Sequence, residues 1–340
     1  MSLATRLIGR AFWRAFGVVF LIFFGLQFLF RFLDQVDKVQ MGFSMLDIIL
    51  IGIVGAVRGL HQELPMITLI ATSVAMGSLA QTSELTVLRA AGLSTGQLFR
   101  RLVTVMSPLL VAVLLVAEVG LPEAERMQQV LKREASATLW TRDGDRFVFL
   151  RGRPSGVIAE WKHLELASDG REIRTLVSAS TAKFTTGQVA LTPATRLTFY
   201  QDALTKQVVD LQFDTALRPM DLQWLLQDPG VLSLSDLHRG ARFLESQQLS
   251  AAQHALLFWQ RLSMPLVVLA IALLGFVSAF GSLRSVSMGT RVFGAVVMGI
   301  VFKLFSDVLT PTILLTGIAP FWGAVIPIAC LLVGARIAYR

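Results

Sequence analysis

Long apolar runs separated by short polar stretches dominate the chain and predict membrane-spanning helices. A helix needs about 20 residues to cross the ~30 Å hydrocarbon layer of a bilayer. Six runs approach or exceed that length: Ala11–Leu33, Ile53–Ala80, Leu102–Leu121, Leu262–Phe280, Arg291–Leu309 and Ile318–Ile337. The first run is too long for the apolar core of a signal peptide, and no small-residue cleavage site follows it, so we expect a retained span.

A long polar segment, Pro122–Gln260, separates the third and fourth apolar runs and predicts a domain outside the membrane. Its first part, Glu123–Ser136, is charged and helical in character. Beyond Trp140, short segments with strand-forming residues alternate with turn signals such as Ser168–Gly170. Short strands at this regular spacing are typical of a sandwich or jelly-roll domain and not of βαβ units.

The predicted strands are Arg146–Leu150, Gly156–Trp161, Leu164–Ala167, Ile173–Ser180, Lys183–Thr186, Gln188–Thr192, Arg196–Tyr200 and Gln207–Phe213. A helix over Ser233–Glu245 follows, because Ser233 can cap it and Asp236 stands three residues further on. The predicted fold is therefore a membrane α-helical protein with an inserted all-β, jelly-roll-like domain. Transmembrane helices 1–3 lie within residues 1–121, the β-domain with its flanking helices within 122–257, and transmembrane helices 4–6 within 258–340.

The composition supports a membrane protein. Of the 340 residues, 54% are hydrophobic and only 16% are charged, whereas soluble domains have about 45–50% apolar and 25% charged residues. The single cysteine, Cys330, excludes a disulfide framework within one chain and a thiol-based metal site.

The distribution of arginine predicts the orientation of the helices. Cytoplasmic loops carry an excess of basic residues, and the arginines at one side are Arg6, Arg10, Arg14, Arg89, Arg100, Arg101, Arg284, Arg291, Arg336 and Arg340. The loops on the other side are poorer in positive charge, and 310–317 has none. We therefore expect both termini in the cytoplasm and the polar insert on the outer side of the membrane. The net charge of +8 follows membrane side and does not indicate nucleic-acid binding.

A short amphipathic helix is predicted within Thr82–Gly92, between the second and third apolar runs. Thr82 or Ser83 can cap it, and Glu84 in its first turn suits the helix dipole. Leu85 and Leu88 share one face, Arg89 lies in the last turn, and Gly92 can take the left-handed conformation that ends the helix. Two interpretations remain open: a plain turn between spans, or a helix on which a soluble partner acts.

Charged residues cluster where the first span ends. Arg31 and Lys38 are seven residues apart, hence on one helical face, and Asp34 falls between them. The cluster is either an ordinary interfacial one, with Asp34 paired to Arg31 and the basic side chains extended towards water, or a cationic rim for an anionic lipid head group.

The second and fifth spans also carry polar groups. Leu46–Ala80 would extend about 50 Å as a helix and contains Arg58 and His61 shortly before Pro65, so either the helix begins outside the bilayer or these groups face a polar cavity. Lys303 and Asp307 are spaced i,i+4 and predict an intramembrane ion pair, with a proton relay as the alternative.

Motifs for enzyme chemistry are missing from the sequence. There is no Gly-x-x-x-x-Gly-Lys-Ser/Thr loop for nucleotide, no His-Glu-x-x-His and no Gly-x-Ser-x-Gly. The four histidines, His61, His163, His238 and His254, are scattered, which argues against a histidine-rich metal site. We therefore expect a non-catalytic protein with no metal and no cofactor of its own.

Five stretches carry a resemblance to the YjgP/YjgQ (LptF/LptG) permease family, and specifically to its LptG branch: Phe32–Gln35, Leu79–Gly92, Leu139–Val148, Leu232–His238 and Phe280–Arg291. Members of this family are membrane subunits of the ABC transporter for lipopolysaccharide export. The resemblance covers the whole chain, and several of the stretches are long and specific.

The resemblance implies a six-helix permease half with a periplasmic β-jellyroll in the Gram-negative inner membrane. The partners would be an LptF permease, an LptB ATPase dimer that binds the ATP, LptC, and the periplasmic bridge protein LptA, reached through the β-domains. Glu84 matches the acid of the family's coupling helix, which makes Ser83, Glu84, Leu85, Leu88 and Arg89 candidates for ATPase coupling. Arg31, Lys38 and Arg58 match basic positions that meet lipopolysaccharide, and Asp34 and His61 are candidates beside them.

The residues agree with this function in physical terms. An amphiphile with several acyl chains needs an apolar cavity with a cationic rim, because each buried CH₂ contributes about 0.8 kcal/mol. A chain without a nucleotide site must obtain the work of extraction through a cytoplasmic contact, for which Thr82–Ala91 is the compact candidate. The alternatives are the sibling LptF, a non-transport membrane scaffold with a periplasmic binding domain, and a proton-coupled carrier.

Overall fold

The computed structural model describes residues 3–37, 43–132, 137–143, 146–152, 158–166, 173–185, 188–200, 203–215, 228–246, 249–280 and 287–339. The chain divides into two compact units. The helical unit contains Met1–Leu131 and Phe258–Arg340, and the second unit contains Lys132–Leu257.

The helices of the chain are α1 (Leu3–Leu33), α2 (Met45–Gln81), α3 (Glu84–Ala90), α4 (Thr95–Leu115), α5 (Leu121–Lys132), α6 (Leu234–Ser246), α7 (Ala252–Val277), α8 (Met288–Thr316) and α9 (Trp322–Tyr339). A five-residue π-helical segment, Val116–Gly120, joins α4 to α5. Within the described ranges, α1, α2, α7, α8 and the continuous α4–α5 helix are long and apolar enough to cross a membrane. The sixth predicted span, α9, is apolar but has only 18 residues.

Three of the long helices, α2, α4 and α8, begin or end at a residue that gives a local signal. Ser44 caps α2 in a capping box with Asp47, and Ser94 caps α4 in the same way with Gln97. Pro65 lies inside α2, which continues through it as one 37-residue helix. Gly317 adopts a positive φ of 68° and ends α8.

The core of the helical unit lies between α1, α2, α4 and α7. Its fully buried side chains include Phe12 of α1, Met76 of α2, Leu102 of α4 and Phe276 of α7. Because α3 follows directly after α2, its Leu85 joins this same core. The core thus fixes the position of the short helix that carries the candidate coupling residues.

Close approach of α1 to α2 depends on three glycines of α2, Gly52, Gly55 and Gly59. A Cβ atom at Gly52 would lie 3.2 Å from Phe28, and one at Gly59 would lie 2.5 Å from Gln27. A side chain at Gly59 would therefore clash unless the end of Gln27 moved. The glycines let the polar end of α1 reach the part of α2 that carries Arg58.

The second unit is an antiparallel β-domain. Its strands are β1 (Ala137–Asp143), β2 (Arg146–Gly152), β3 (Ile158–Leu166), β4 (Ile173–Ala179), β5 (Ala182–Thr185), β6 (Gln188–Tyr200) and β7 (Ala203–Asp214). They form one seven-stranded sheet in the order β1-β2-β3-β4-β6-β5, with β7 also paired to β6. Trp161 is fully buried and fixes the apolar face of this sheet.

The predicted fold class is confirmed, since the chain combines apolar helices of membrane-spanning length with an inserted all-β region. Some strand boundaries were wrong. Gly156–Trp161 and Leu164–Ala167 are one strand, β3, and the two segments on either side of Pro193 are one strand, β6. β1 was not predicted, although it pairs with β2 over its whole length.

Candidate functional site

The short helix α3 packs one side onto the helical unit. Leu85 is only 4% exposed, Leu88 is half-buried against the same core, and the Arg89 guanidinium lies 5.9 Å from the ring centre of Phe280. A cavity of about 320 Å³ lies beside this contact, between α3 and the end of α7. The apolar ridge that the sequence suggested as a docking surface is therefore largely used inside the chain, and Leu85 is removed from the exposed candidates.

The other side of α3 is exposed and carries Ser83, Val87 and Ala90. Val87 is 65% exposed, so it presents an apolar side chain on the face of α3 that is turned away from the core. Sequence reasoning missed Val87, because Leu85 and Leu88 already gave a complete apolar stripe. The half-buried Glu84 stands at the start of the helix.

The two ends of α3 differ in backbone conformation and in the hydrogen bonds that cap them. Gly92 ends the helix with a positive φ of 90°, as the sequence predicted. The Gly92 N–H donates to the Arg89 carbonyl (3.0 Å), and the Leu93 N–H donates to the Leu88 carbonyl (3.2 Å). These two hydrogen bonds form a Schellman motif. At the other end Ser83 has φ 60° and its side chain makes no cap bond. The expected side-chain cap is therefore wrong, because Ser83 also terminates α2 in a left-handed conformation.

A second group of polar residues lies far along α2 from α3. The Arg58 Nη1 atom donates a hydrogen bond of 3.2 Å to Glu125 Oε2 of α5, with side chains 28% and 17% exposed. Arg31 of α1 and Gln128 of α5 both lie against Gly55, one turn from Arg58. About 35 Å of helix separates Arg58 from the end of α2, somewhat more than the ~30 Å hydrocarbon layer.

The structure therefore brings Arg31 and Arg58 together near Gly55, and we name Arg31, Arg58, Glu125 and Gln128 the rim cluster. Asp34 is exposed at the end of α1, and Lys38 lies outside the described residues. Glu125 and Gln128 were missed by sequence reasoning, because they belong to α5, about 70 positions from Arg58 in the chain. Only folding shows that an acid neutralises the predicted cation.

His61 is buried, at 6% exposure, and Arg261 of α7 lies close enough to act on it electrostatically. Its Nδ1 atom has no hydrogen-bond partner among the described residues. The buried side chain is one turn beyond Arg58, on the interior of the helical unit. This position gives His61 a place in the packing of α2 against α7 rather than on an accessible rim.

Lys303 pairs with a residue other than Asp307, the partner that the sequence predicted. Lys303 Nζ lies 2.9 Å from Glu63 Oε1 of α2, and in the described part of the chain no ion pair joins it to Asp307. Gly299 lies one turn earlier on α8 and packs directly against Met66 of α2. A Cβ atom added at Gly299 would lie only 2.7 Å from the Met66 side chain. Because the two helices touch here, Lys303 reaches the largely buried Glu63 (12% exposed) instead of its exposed neighbour.

Comparison with known proteins decides the family. Residues 6–340 match the family described as lipopolysaccharide export system permease LptF/LptG. The chain belongs to the LptF/LptG family. Its relatives include LptG of Escherichia coli K12, 26% identical over 338 residues that cover 95% of this chain and 94% of that protein. LptG of Haemophilus influenzae is 24% identical over 335 residues, again 95% and 94% of the two chains.

This LptF/LptG-family chain is accordingly a multi-pass inner-membrane protein and a permease subunit for lipopolysaccharide export. The family assignment agrees with the resemblance seen in the sequence. It does not by itself separate the two branches, because the family description names both.

Proposed function

We propose that the chain is the LptG-type permease of the lipopolysaccharide exporter and not its LptF sibling. It would extract lipopolysaccharide from the inner membrane and pass it to the periplasmic bridge. The observation that carries the choice is that relatives matching along nearly the whole length, from two organisms, are both LptG.

The orientation follows from the arginine distribution: both termini and α3 on the cytoplasmic side, the β-domain in the periplasm. The separation of α3 from the rim cluster by about 35 Å of α2 agrees with positions at opposite membrane faces. Arg31 and Arg58 would then meet the phosphates or sugars of lipopolysaccharide at the outer rim, together with Lys38.

The coupling residues in this proposal are the exposed Ser83 and Val87 together with the half-buried Glu84 at the start of α3. Glu84, Val87 and Ser83 would contact an LptB-type ATPase, while Leu85, Leu88 and Arg89 hold the helix on the permease. ATP would be bound by the ATPase, so the permease itself needs no cofactor. LptF would complete the membrane cavity, and LptC and LptA would receive the lipid through the β-domains.

Co-purification tests the proposal. The affinity-tagged chain, expressed with candidate partners, should be retained in one assembly with a second permease of the LptF type and an ATPase dimer. A solitary chain would favour a membrane scaffold. An assembly in which this chain can replace LptF, but not LptG, would assign it to the other branch.

A further inference from the structure

A groove with a volume of about 800 Å³ runs along the helical unit between α1, α2 and α8. Its apolar walls include Val18 and Ile22 of α1, Ile70 and Val74 of α2, and Val292 and Val296 of α8. From Arg10 to Phe23 the groove follows α1 for about 20 Å, which is slightly more than one leaflet of the ~30 Å hydrocarbon layer. Its length and lining suit acyl chains.

Three charged side chains line the end of the groove that lies next to α3: Arg10, Arg14 and Glu84. Arg10 and Arg14 are four residues apart on α1 and therefore neighbours on one face. Within the described residues, none of the three takes part in an ion pair or a side-chain hydrogen bond. Two guanidinium groups and one carboxylate thus face the same space without neutralising one another.

The two arginines and the glutamate together fit a particular kind of ligand head group. Guanidinium groups bind phosphate oxygens with charge-assisted hydrogen bonds, and a carboxylate accepts hydrogen bonds from a primary ammonium group. A head group that carries a phosphate and a primary ammonium matches both halves of the pattern. A simple anionic head group would leave Glu84 facing a negative charge, and a quaternary ammonium has no N–H to donate.

We propose that this groove is a binding site for a glycerophospholipid of the phosphatidylethanolamine class, with its phosphate at Arg10 and Arg14, its ammonium at Glu84 and its acyl chains along α1, α2 and α8. The site is distinct from the rim cluster, which lies towards the other end of α2. It would place a membrane lipid against the acid that the proposed function assigns to ATPase coupling, but it does not depend on that function.

Native mass spectrometry of the full chain, purified in its complex and delipidated, tests the site with phosphatidylethanolamine, phosphatidylglycerol and phosphatidylcholine as probes. We expect phosphatidylethanolamine to bind most tightly. The double substitution R10Q/R14Q should weaken its binding by about tenfold, because charge-assisted hydrogen bonds to phosphate are lost. E84Q should abolish the preference over phosphatidylglycerol.

The matched control is R6Q/R100Q, which removes two exposed arginines outside the groove and should leave binding unchanged. A photoreactive residue at Ile22 identifies the occupant in the membrane. Crosslinks to phosphatidylethanolamine that decrease in R10Q/R14Q support the site. Crosslinks to a partner helix or to lipopolysaccharide instead, or unchanged lipid binding in R10Q/R14Q, would overturn it.

Discussion

The guanidinium of Arg58 lies 3.2 Å from the carboxylate of Glu125, and both side chains are largely shielded from solvent. The predicted cation of the rim is therefore partly neutralised within the chain itself. A phosphate that binds at Arg58 must compete with this carboxylate. If the rim cluster binds an anionic lipid as proposed, we expect Glu125 to weaken that binding.

The first prediction concerns this competition. Glu125→Gln should raise the yield of lipopolysaccharide crosslinking near Arg58 by about threefold to tenfold, and Arg58→Gln should lower it, since a charge-assisted contact is gained or lost. Site-specific photocrosslinking measures both effects. Glu123→Gln is the matched control, because Glu123 pairs with Arg126 on the exposed side of the same helix. Equal yields in E125Q and E123Q would remove Glu125 from the rim.

The second prediction separates the two faces of α3. Leu85→Ser should destabilise the protein by about 2–4 kcal/mol, because a fully packed leucine is replaced by a small polar residue. Val87→Glu should leave the melting temperature unchanged and reduce the amount of ATPase that co-purifies, since Val87 is exposed. Thermal unfolding and quantitative pull-down are measured on both variants. A normal pull-down with V87E would exclude this face as the contact.

The third prediction follows from the pairing of Lys303 with Glu63. Lys303→Met should destabilise the protein by about 1–3 kcal/mol, since it leaves a buried carboxylate without its partner. Glu63→Gln should cost less, because the half-exposed lysine can extend towards water. Asp307→Asn should have little effect on the melting temperature in detergent. A larger loss in D307N than in K303M would restore the pair predicted from the sequence.

The fourth prediction concerns the acid sensitivity of the β-domain. Glu165 accepts hydrogen bonds from Arg146 of β2 (2.9 Å) and Thr175 of β4 (2.7 Å), so it links three neighbouring strands. Burial raises the pKa of Glu165, but these hydrogen bonds and the positive charge of Arg146 outweigh burial and lower the pKa below its ordinary value of 4.5. The ionised form is therefore the one that stabilises the folded sheet.

Glu165 contributes its full stabilisation above pH 4.5, and the contribution is lost as the pH falls through the lowered pKa. Hydrogen exchange of the β3 and β4 amides, corrected for the intrinsic pH dependence of exchange, should show protection falling below pH 4.5 in the wild type. Glu165→Gln should show weaker protection at neutral pH and a smaller change on acidification. An identical pH profile in both proteins would contradict this role.

Local signals in the sequence predicted much of the fold. The apolar runs gave the long helices, since span length is set by bilayer thickness. Gly92 gave the end of α3, because glycine readily takes the positive φ that a Schellman motif requires. Ser233 gave the start of α6, and its Oγ atom accepts from Asp236 N–H at 3.0 Å. Each of these features is decided within a few residues.

The features that sequence reasoning missed are decided by residues distant in the chain. The partner of Lys303 is Glu63, some 240 positions earlier, whereas only Asp307 was visible at helical spacing. Glu125 is likewise remote from Arg58. The burial of Leu85 depends on a core formed by four helices. The charged and apolar residues of the site stand out in the sequence, but their contacts with one another are formed only in the tertiary structure.

Release of lipopolysaccharide from proteoliposomes tests directly whether the chain is a permease driven by a separate ATPase. The chain is reconstituted with an LptF-type permease and an ATPase dimer, and transfer of labelled lipopolysaccharide to a soluble periplasmic acceptor is followed with and without ATP. We predict ATP-dependent transfer with the wild type, and with Glu84→Ala an intact, folded assembly whose transfer falls to the level without ATP. Transfer by E84A at the wild-type rate, or no transfer by an intact wild-type assembly, would contradict the proposed function.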